Sequence, residues 1–402
     1  METELVERLR GVYRDLHAHP ELSFQERRTA GVAATWLQEL GYEVIESVGT
    51  TGVAGVLHNG AGPTVLLRAD MDALPVEEAT GLPYASEVDG VMHACGHDMH
   101  VTCLLGAAAV LADSRGEWSG TVTVVLQPAE ELAQGAAAMV ADRLFERIPR
   151  PDVVLGQHVA PIPAGVIGLR PGPAFAATDS LRVTLHGAGG HGSRPETTVD
   201  PVVMAAATVL RLQGIVAREV SGNDTAVVTV GALNAGTKNN IIPDDAELLL
   251  SVRTFDPAVR TRVLAAIERI VRAEAQASGA PEEPRIEATE SAPAVINDPA
   301  AVERTRGALA RVVGAERVID PGPVTGSEDV GVLAAAAGAP LVFWLLGGAD
   351  PAAFVGASSP QELARVVAGL PSNHSPRYAP VEEPTIGVGV AALSAAARQW
   401  LA

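Results

Sequence analysis

The eight residues His93-Ala94-Cys95-Gly96-His97-Asp98-Met99-His100 put three histidines, a cysteine and an aspartate into about two helical turns. This density of metal-ligating side chains constrains the fold more than any other stretch. Imidazoles crowded into a protein interior without a cation would leave ring nitrogens hard to satisfy, so the chain must either expose the cluster or close it around a metal. A single histidine is usually a structural residue. Three beside a thiol, with further Glu and His candidates downstream, point to a metalloenzyme. Thiolate and imidazole together suit zinc, cobalt, nickel or manganese better than calcium or magnesium, which prefer oxygen.

At 402 residues the chain exceeds the size at which one core usually stops growing, so two or three domains are expected. With 48 acidic against 29 basic side chains the formal charge is −19, which repels nucleic acid and anionic membranes and leaves neither as an expected partner. Cys95 and Cys103 are the two cysteines, too few for a disulfide scaffold and in keeping with a reducing compartment. The charged start Met1-Glu2-Thr3-Glu4-Leu5-Val6-Glu7-Arg8 lacks a signal-peptide core, and Gly, Pro, Asp or Arg interrupt the apolar runs before the ~18 residues of a bilayer span. A cytoplasmic protein without membrane partners is expected.

Helical and strand patterns alternate from the start. Residues 4–17 and 26–40 carry apolar side chains at helical spacing, the second run closing at Gly41, and 102–112 reads as an Ala/Leu helix. Residues 52–57, 64–69 and 121–127 read as short strands, two of them nearly all apolar and so expected to be buried on both faces. This is the pattern of an α/β fold with a central mixed sheet flanked by helices, where ligands gather at the carboxyl ends of strands. From about Asp179 the character changes: strand 180–186, helix 201–218, strands 226–233 and 246–255, helix 257–278. The expectation is a catalytic domain formed by 1–179 and 291–402, interrupted by a smaller α+β domain at 180–290, with hinges near Asp179 and Ser291. Residues 347–370, rich in Ala, Gly and Ser, read as a mobile loop in which 361–368 could be helical.

Further candidates stand where strands end. Residues 64–67 deliver Asp70 and Asp72, 121–127 lead into Glu130-Glu131, 153–159 carry His158, and Asn373-His374-Ser375-Pro376 falls in a late loop. Adjacent glutamates pointing different ways would let one bind metal while the other faces a water.

The segments RADMDALP (68–75), MHACGHDMH (92–100), QPAEE (127–131), GQHV (156–159), GGHGSRP (189–195), NNIIPD (239–244), VRTF (252–255), GSED (326–329) and NHSP (373–376) resemble, in order, those of the dinuclear metal-dependent amidohydrolases. That family includes bacterial aminoacylases, hippurate hydrolases and plant auxin-conjugate hydrolases, and is related to the co-catalytic metallo-carboxypeptidases. The resemblance implies a catalytic domain holding two divalent metal ions, with zinc or manganese the leading choices and cobalt or nickel acceptable. It also implies an inserted lid domain that mediates dimerisation into a homodimer or a higher homo-oligomer.

Residue by residue, the resemblance makes Cys95, His97, Glu131, His158 and His374 metal ligands, with the Cys95 thiolate a candidate bridge, and Glu130 the general base and acid. His191 matches a histidine that reaches a neighbouring subunit's site to polarise the scissile carbonyl, and Asn240 and Arg253 match substrate-holding positions. Asp70 and Asp72 match groups that orient ligand imidazoles, while His93, Asp98 and His100 fit hydrogen-bonding support better than coordination. Leu132-Ala133-Gln134-Gly135 replaces a glycine run common in relatives, beside the expected metals. The implied reaction is hydrolysis of an N-acyl amino acid to a carboxylate and a free amino acid. The alternatives are a dipeptidase or carboxypeptidase of the same chemistry, and a non-catalytic metal-binding scaffold.

Overall fold

The computed structural model describes residues 3–357 and 359–401, whose contacts divide into two units. The first comprises the chain up to Ala174, Ile296–Gly322 and the chain from Asp329 on. The second comprises Phe175–Val295 with Pro323–Glu328, so it reaches past both ends of the 180–290 span and takes in a short later segment.

The first unit is built on an eight-stranded sheet in the order Glu43–Val48, Gly52–Asn59, Gly120–Gln127, Thr64–Asp70, Val153–Pro163, Leu341–Ala349, Ile167–Gly168, Val318–Ile319. The four strands from Gly120–Gln127 to Leu341–Ala349 are mutually parallel, and antiparallel strands flank them, giving the mixed sheet. Val65, Leu66 and Leu67 are fully buried because helices cover both faces, which explains why this strand is apolar without alternation. The helix expected at 102–112 begins five residues earlier and spans His97–Asp113. It is buried nearly all round, against Thr3–Ala18 and the C-terminal helix Glu382–Leu401. That crossing depends on small residues: a Cβ on Gly106 would lie 2.4 Å from Val390 Cγ2, and one on Gly389 the same distance from Cys103 Sγ. Both cysteines are free and buried.

The second unit is a four-stranded antiparallel sheet, Ala226–Ala235, Asp245–Thr254, Ala177–His186, Arg285–Ala292, covered by the helices Pro201–Leu212 and Pro257–Ala277. Asp200 and Asp256 cap these helices and Pro occupies the first helical position of each. The edge strand Arg285–Ala292 carries no clear apolar alternation and is not apparent from the sequence pattern.

Three expectations are corrected. The helix expected over 201–218 is two, separated at Gln213, although Pro201–Arg218 taken together is long and apolar enough to cross a bilayer by length and composition alone. Residues 347–370 are not a single loop: Gly347–Ala349 end a strand and Pro351–Phe354 form a 3-10 turn, while the helix expected at 361–368 is present as Pro360–Gly369 with a Ser359–Glu362 capping box. Glu130 and Glu131 do not leave a strand directly. The strand stops at Gln127, Ala129 takes a left-handed φ of 48°, and Glu130–Leu132 form a 3-10 turn.

Candidate metal centre

The site lies in the first unit, at the carboxyl ends of its parallel strands. The His97–Asp113 helix starts there because Gly96 adopts a left-handed conformation, φ 85°, and its carbonyl accepts the amides of Met99 and His100. A side chain at Gly96 would meet Val159 Cγ1 at 2.5 Å, so glycine is needed for its backbone angles and for the close approach of the Val153–Pro163 strand. The Cys-Gly-His step thereby turns Cys95 and His97 towards the strand end that carries His158.

Cys95, His97, Glu131, His158 and His374 converge. Cys95, His97 and His158 offer ligand atoms all within 4.8 Å of one another, and so do Cys95, Glu131 and His374. Cys95 belongs to both triads. Cys95 Sγ is 3.5 Å from His158 Nε2, and His374 Nε2 is 3.3 Å from Glu131 Oε2. His97, Glu130 and Glu131 form a third such group, with His97 Nε2 at 3.8 Å from an oxygen of each glutamate.

Two observations show that this set fits a cation. His97 Nε2 and Glu131 Oε1 are buried without a hydrogen-bond partner, an arrangement that costs free energy unless something else binds them. The electrostatics agree. Burial alone would lower the His97 pKa, yet the Asp70 charge, Cys95 and the Asp72 hydrogen bond raise it well above normal. Bonds to Cys95 and Glu131 push His374 up to about 10. The negative field that holds protons on these imidazoles would favour a divalent ion in their place. Burial raises the Cys95 thiol, which a bound cation would deprotonate.

The surroundings are closely tied. Asp72 accepts hydrogen bonds from the Ser23 hydroxyl (2.7 Å) and the amides of Glu130 (3.1 Å) and Glu131 (3.0 Å), and lies 3.3 Å from His97 Nδ1. Its burial alone would raise its pKa; these partners hold it below the usual value. The buried carboxyl of Glu26 accepts from the Ala129 amide (2.8 Å) and Thr51 (2.5 Å), holding the left-handed residue before Glu130. Asn373 donates to the carbonyls of Cys95 (3.1 Å) and Val159 (3.2 Å), which seats the loop bearing His374. Asp98 points away from the triads to His17 Nδ1 at 2.6 Å. His93 is buried with neither ring nitrogen hydrogen-bonded, and burial lowers its pKa to about 4. Asn373 stood in the NHSP motif without a role of its own, while Ser23 and Glu26 were not singled out from sequence and sit far from every ligand in the chain.

His191, Asn240 and Arg253 belong to the second unit. His191 is exposed on the short strand Gly190–His191, paired with Ile241–Ile242, and the Gly192 amide donates to Asn240 O at 2.9 Å, so His191 and Asn240 share one ribbon. Arg253 stands near the end of the Asp245–Thr254 strand and donates to the Ser327 hydroxyl.

The peptidase family M20/M25/M40 matches residues 66–370 of the chain. The chain is 42% identical over 319 residues to a hippurate hydrolase of Campylobacter jejuni, covering 79% of this chain and 82% of that protein. It is 38% identical to thermostable carboxypeptidase 1 of Saccharolobus solfataricus, over 79% of this chain and 80% of the other. Among solved structures, the YXEP protein of Bacillus subtilis, described as a dinuclear metal binding peptidase of the M20 family, superposes with a TM-score of 0.80 at 31% identity, covering 100% of this chain and 99% of that one. The ordered motifs, the mixed sheet and the ligand-rich strand ends therefore have one common account: this chain belongs to peptidase family M20/M25/M40 and is a metal-dependent amidohydrolase.

Proposed function

We propose that the protein hydrolyses N-acyl amino acids to a carboxylate and a free amino acid, with Cys95, His97, Glu131, His158 and His374 holding two divalent cations and Glu130 as general base and acid. The observation that carries this reading is the pair of triads sharing Cys95, with Glu130 beside them. Bound cations supply Lewis acidity and lower the pKa of water towards ~7. Glu130 takes a proton from the attacking water and delivers it to the departing amide nitrogen. Its backbone is held for this by Asp72, and its carboxylate Oε2 lies 3.8 Å from His97 Nε2. His191 reaches a neighbouring subunit's site to polarise the scissile carbonyl there, and Arg253 and Asn240 help hold the substrate, a guanidinium being the natural partner of an amino-acid carboxylate. Zinc and manganese are the favoured ions, because thiolate, imidazole and carboxylate together accept either.

The hippurate hydrolase relative supports an N-acyl amino acid as substrate class. The relative named a carboxypeptidase favours a second reading, cleavage of peptides. We further propose a homodimer built through the second unit. Its edge strand Ala226–Ala235 exposes Val227 and Leu233, and the helix Pro201–Leu212 exposes Val203 (65%) and Leu210 (76%), more apolar surface than an isolated unit needs.

A panel of N-acyl amino acids and free-amine dipeptides, assayed with zinc or manganese, separates the readings. Turnover of the acylated compounds supports the proposal, and cleavage confined to dipeptides replaces it with the second. In Glu130→Gln the cations should remain while turnover falls ~10²–10⁴-fold. Near-normal turnover in that variant removes the general-base role.

A further inference from the structure

We propose that His100 is a positioning residue for the metal centre: its imidazole accepts the Val159 amide hydrogen and so fixes the ligand His158 and the Asn373–His374 loop. This rests on the metal centre proposed above and adds a residue to its machinery. His100 stands one helical turn beyond His97, its ring stacked on His97 at 5.3 Å between centroids and edge-on to His158 at 4.6 Å. Asp70, His97 and His100 also approach within 4.8 Å, so proximity alone would admit His100 as a ligand.

Its hydrogen bonds decide otherwise. His100 Nε2 lies 2.7 Å from the Val159 backbone nitrogen, which can only donate. The Nε2 lone pair is therefore the acceptor, and the ring proton resides on Nδ1, 2.5 Å from Asp70 Oδ1. With one nitrogen accepting an amide and the other donating to a carboxylate, His100 has no lone pair left for a cation. Asp70 is held in turn by the buried Arg68, whose Nη1 reaches Asp70 Oδ2 at 2.8 Å.

Val159 pairs with Leu346 on one side, but on the other side its neighbouring strand has ended, so its amide needs this acceptor. The ladder between Thr64–Asp70 and Val153–Pro163 stops at the Arg68–Gly156 pair, three residues short of Val159. The Val159 carbonyl is shared by His158 Nδ1 (2.8 Å), Asn373 Nδ2 (3.2 Å) and the Tyr378 hydroxyl (3.3 Å). The bond to Nδ1 sets the His158 tautomer, with Nε2 turned to Cys95 Sγ at 3.5 Å. One residue's main chain therefore orients His158 and ties down the loop of His374, and His100 holds that main chain by its nitrogen.

The test compares His100→Gln, whose amide oxygen can take the place of Nε2 and accept from Val159, with His100→Asn, which reaches only to Asp70, and His100→Phe, which keeps ring volume without either bond. Zinc and cobalt affinities of the full chain are measured by competition with a chromophoric chelator, and the thiolate-to-cobalt absorption reports on Cys95. Expected is a loss of ~10–100-fold in affinity for one of the two ions in the Asn and Phe variants, with an altered thiolate band. The Gln variant should stay clear of that ~10-fold loss and near wild type. Equal affinities for Gln and Asn overturn the role of His100, and this comparison holds even where Phe fails to fold. A wild-type chain that binds neither ion overturns the metal centre itself, and this inference with it.

Discussion

Replacing Gly96 by alanine isolates the contact that sets the Cys-Gly-His step. Alanine at a left-handed φ costs ~1–2 kcal/mol for backbone reasons alone. At Gly96, φ 85°, the new Cβ would also stand 2.5 Å from Val159 Cγ1, with Tyr378 Cε1 at 3.4 Å and Pro380 Cγ at 3.5 Å closing the other sides. Overpacking of this kind adds ~1–3 kcal/mol. Gly60 provides the control, since its φ is 82° and nothing lies within 4 Å of its Cβ position. Gly60→Ala should show the backbone cost, and Gly96→Ala that cost plus the steric one. At ~1–2 °C per kcal/mol for a unit of this size, the Gly96 variant should melt about 3 °C below the Gly60 variant in the metal-free state. It should also bind metal more weakly, because the strand end carrying His158 is displaced. Adding Val159→Ala to Gly96→Ala removes the clashing methyl and should recover most of the steric part. Gly96→Ala and Gly60→Ala melting within 1 °C of each other, with equal metal affinity, would refute the reasoning.

Asp72→Ala leaves the Glu130 and Glu131 amides and the Ser23 hydroxyl without their acceptor. At ~1–3 kcal/mol per buried orphan it should lower the melting temperature and weaken metal binding ~10–100-fold, with Asp72→Asn less affected; chelator competition checks this. His17 gives a pH dependence. Burial alone would depress its pKa, but Asp98 at 2.6 Å and Glu78 at 3.3 Å raise it to about 10. A folded pKa above the unfolded ~6.5 contributes stability that is fully present below that pH and is lost as pH rises through 10, on the order of 5 kcal/mol at most. Urea unfolding at pH 7, 8.5 and 10 should therefore decline more steeply for wild type than for His17→Gln, and parallel declines exclude the effect. On the proposed dimer face, Val203→Glu or Leu210→Glu should give monomers by light scattering while shifting unfolding by no more than ~0.5 kcal/mol.

The metal centre was legible in the sequence because its ligands are chemically unusual and fall next to recognisable strand ends. Asp72, matched to a group that orients ligand imidazoles, does lie 3.3 Å from His97 Nδ1, whereas Glu26 shows the limit of that legibility. A carboxylate in a chain can be a ligand, a base or a surface charge, and only its partners in space decide. His100 was expected to give hydrogen-bonding support, but residue type alone does not name its partner, and only the fold shows that the Val159 amide takes its lone pair. The start of the segment 347–370 was misread for a related reason. Its Ala and Gly have weak local preference, and pairing with Val153–Pro163 makes Gly347–Ala349 the end of a strand, whereas the helix at 361–368 was anticipated.

What the sequence determined by itself was the alternation of apolar strands and amphipathic helices, the change of pattern near Asp179, and the set of side chains able to hold a cation. These are carried by local periodicity and residue chemistry, which need no partner to be read. The tertiary structure alone decided which partner each clustered histidine takes, which residues complete the two triads around Cys95, and that a ladder ending at Arg68 leaves the Val159 amide to a side chain. Those outcomes depend on where residues far apart in the chain leave each donor and acceptor, and a hydrogen bond is settled only when both ends are in place.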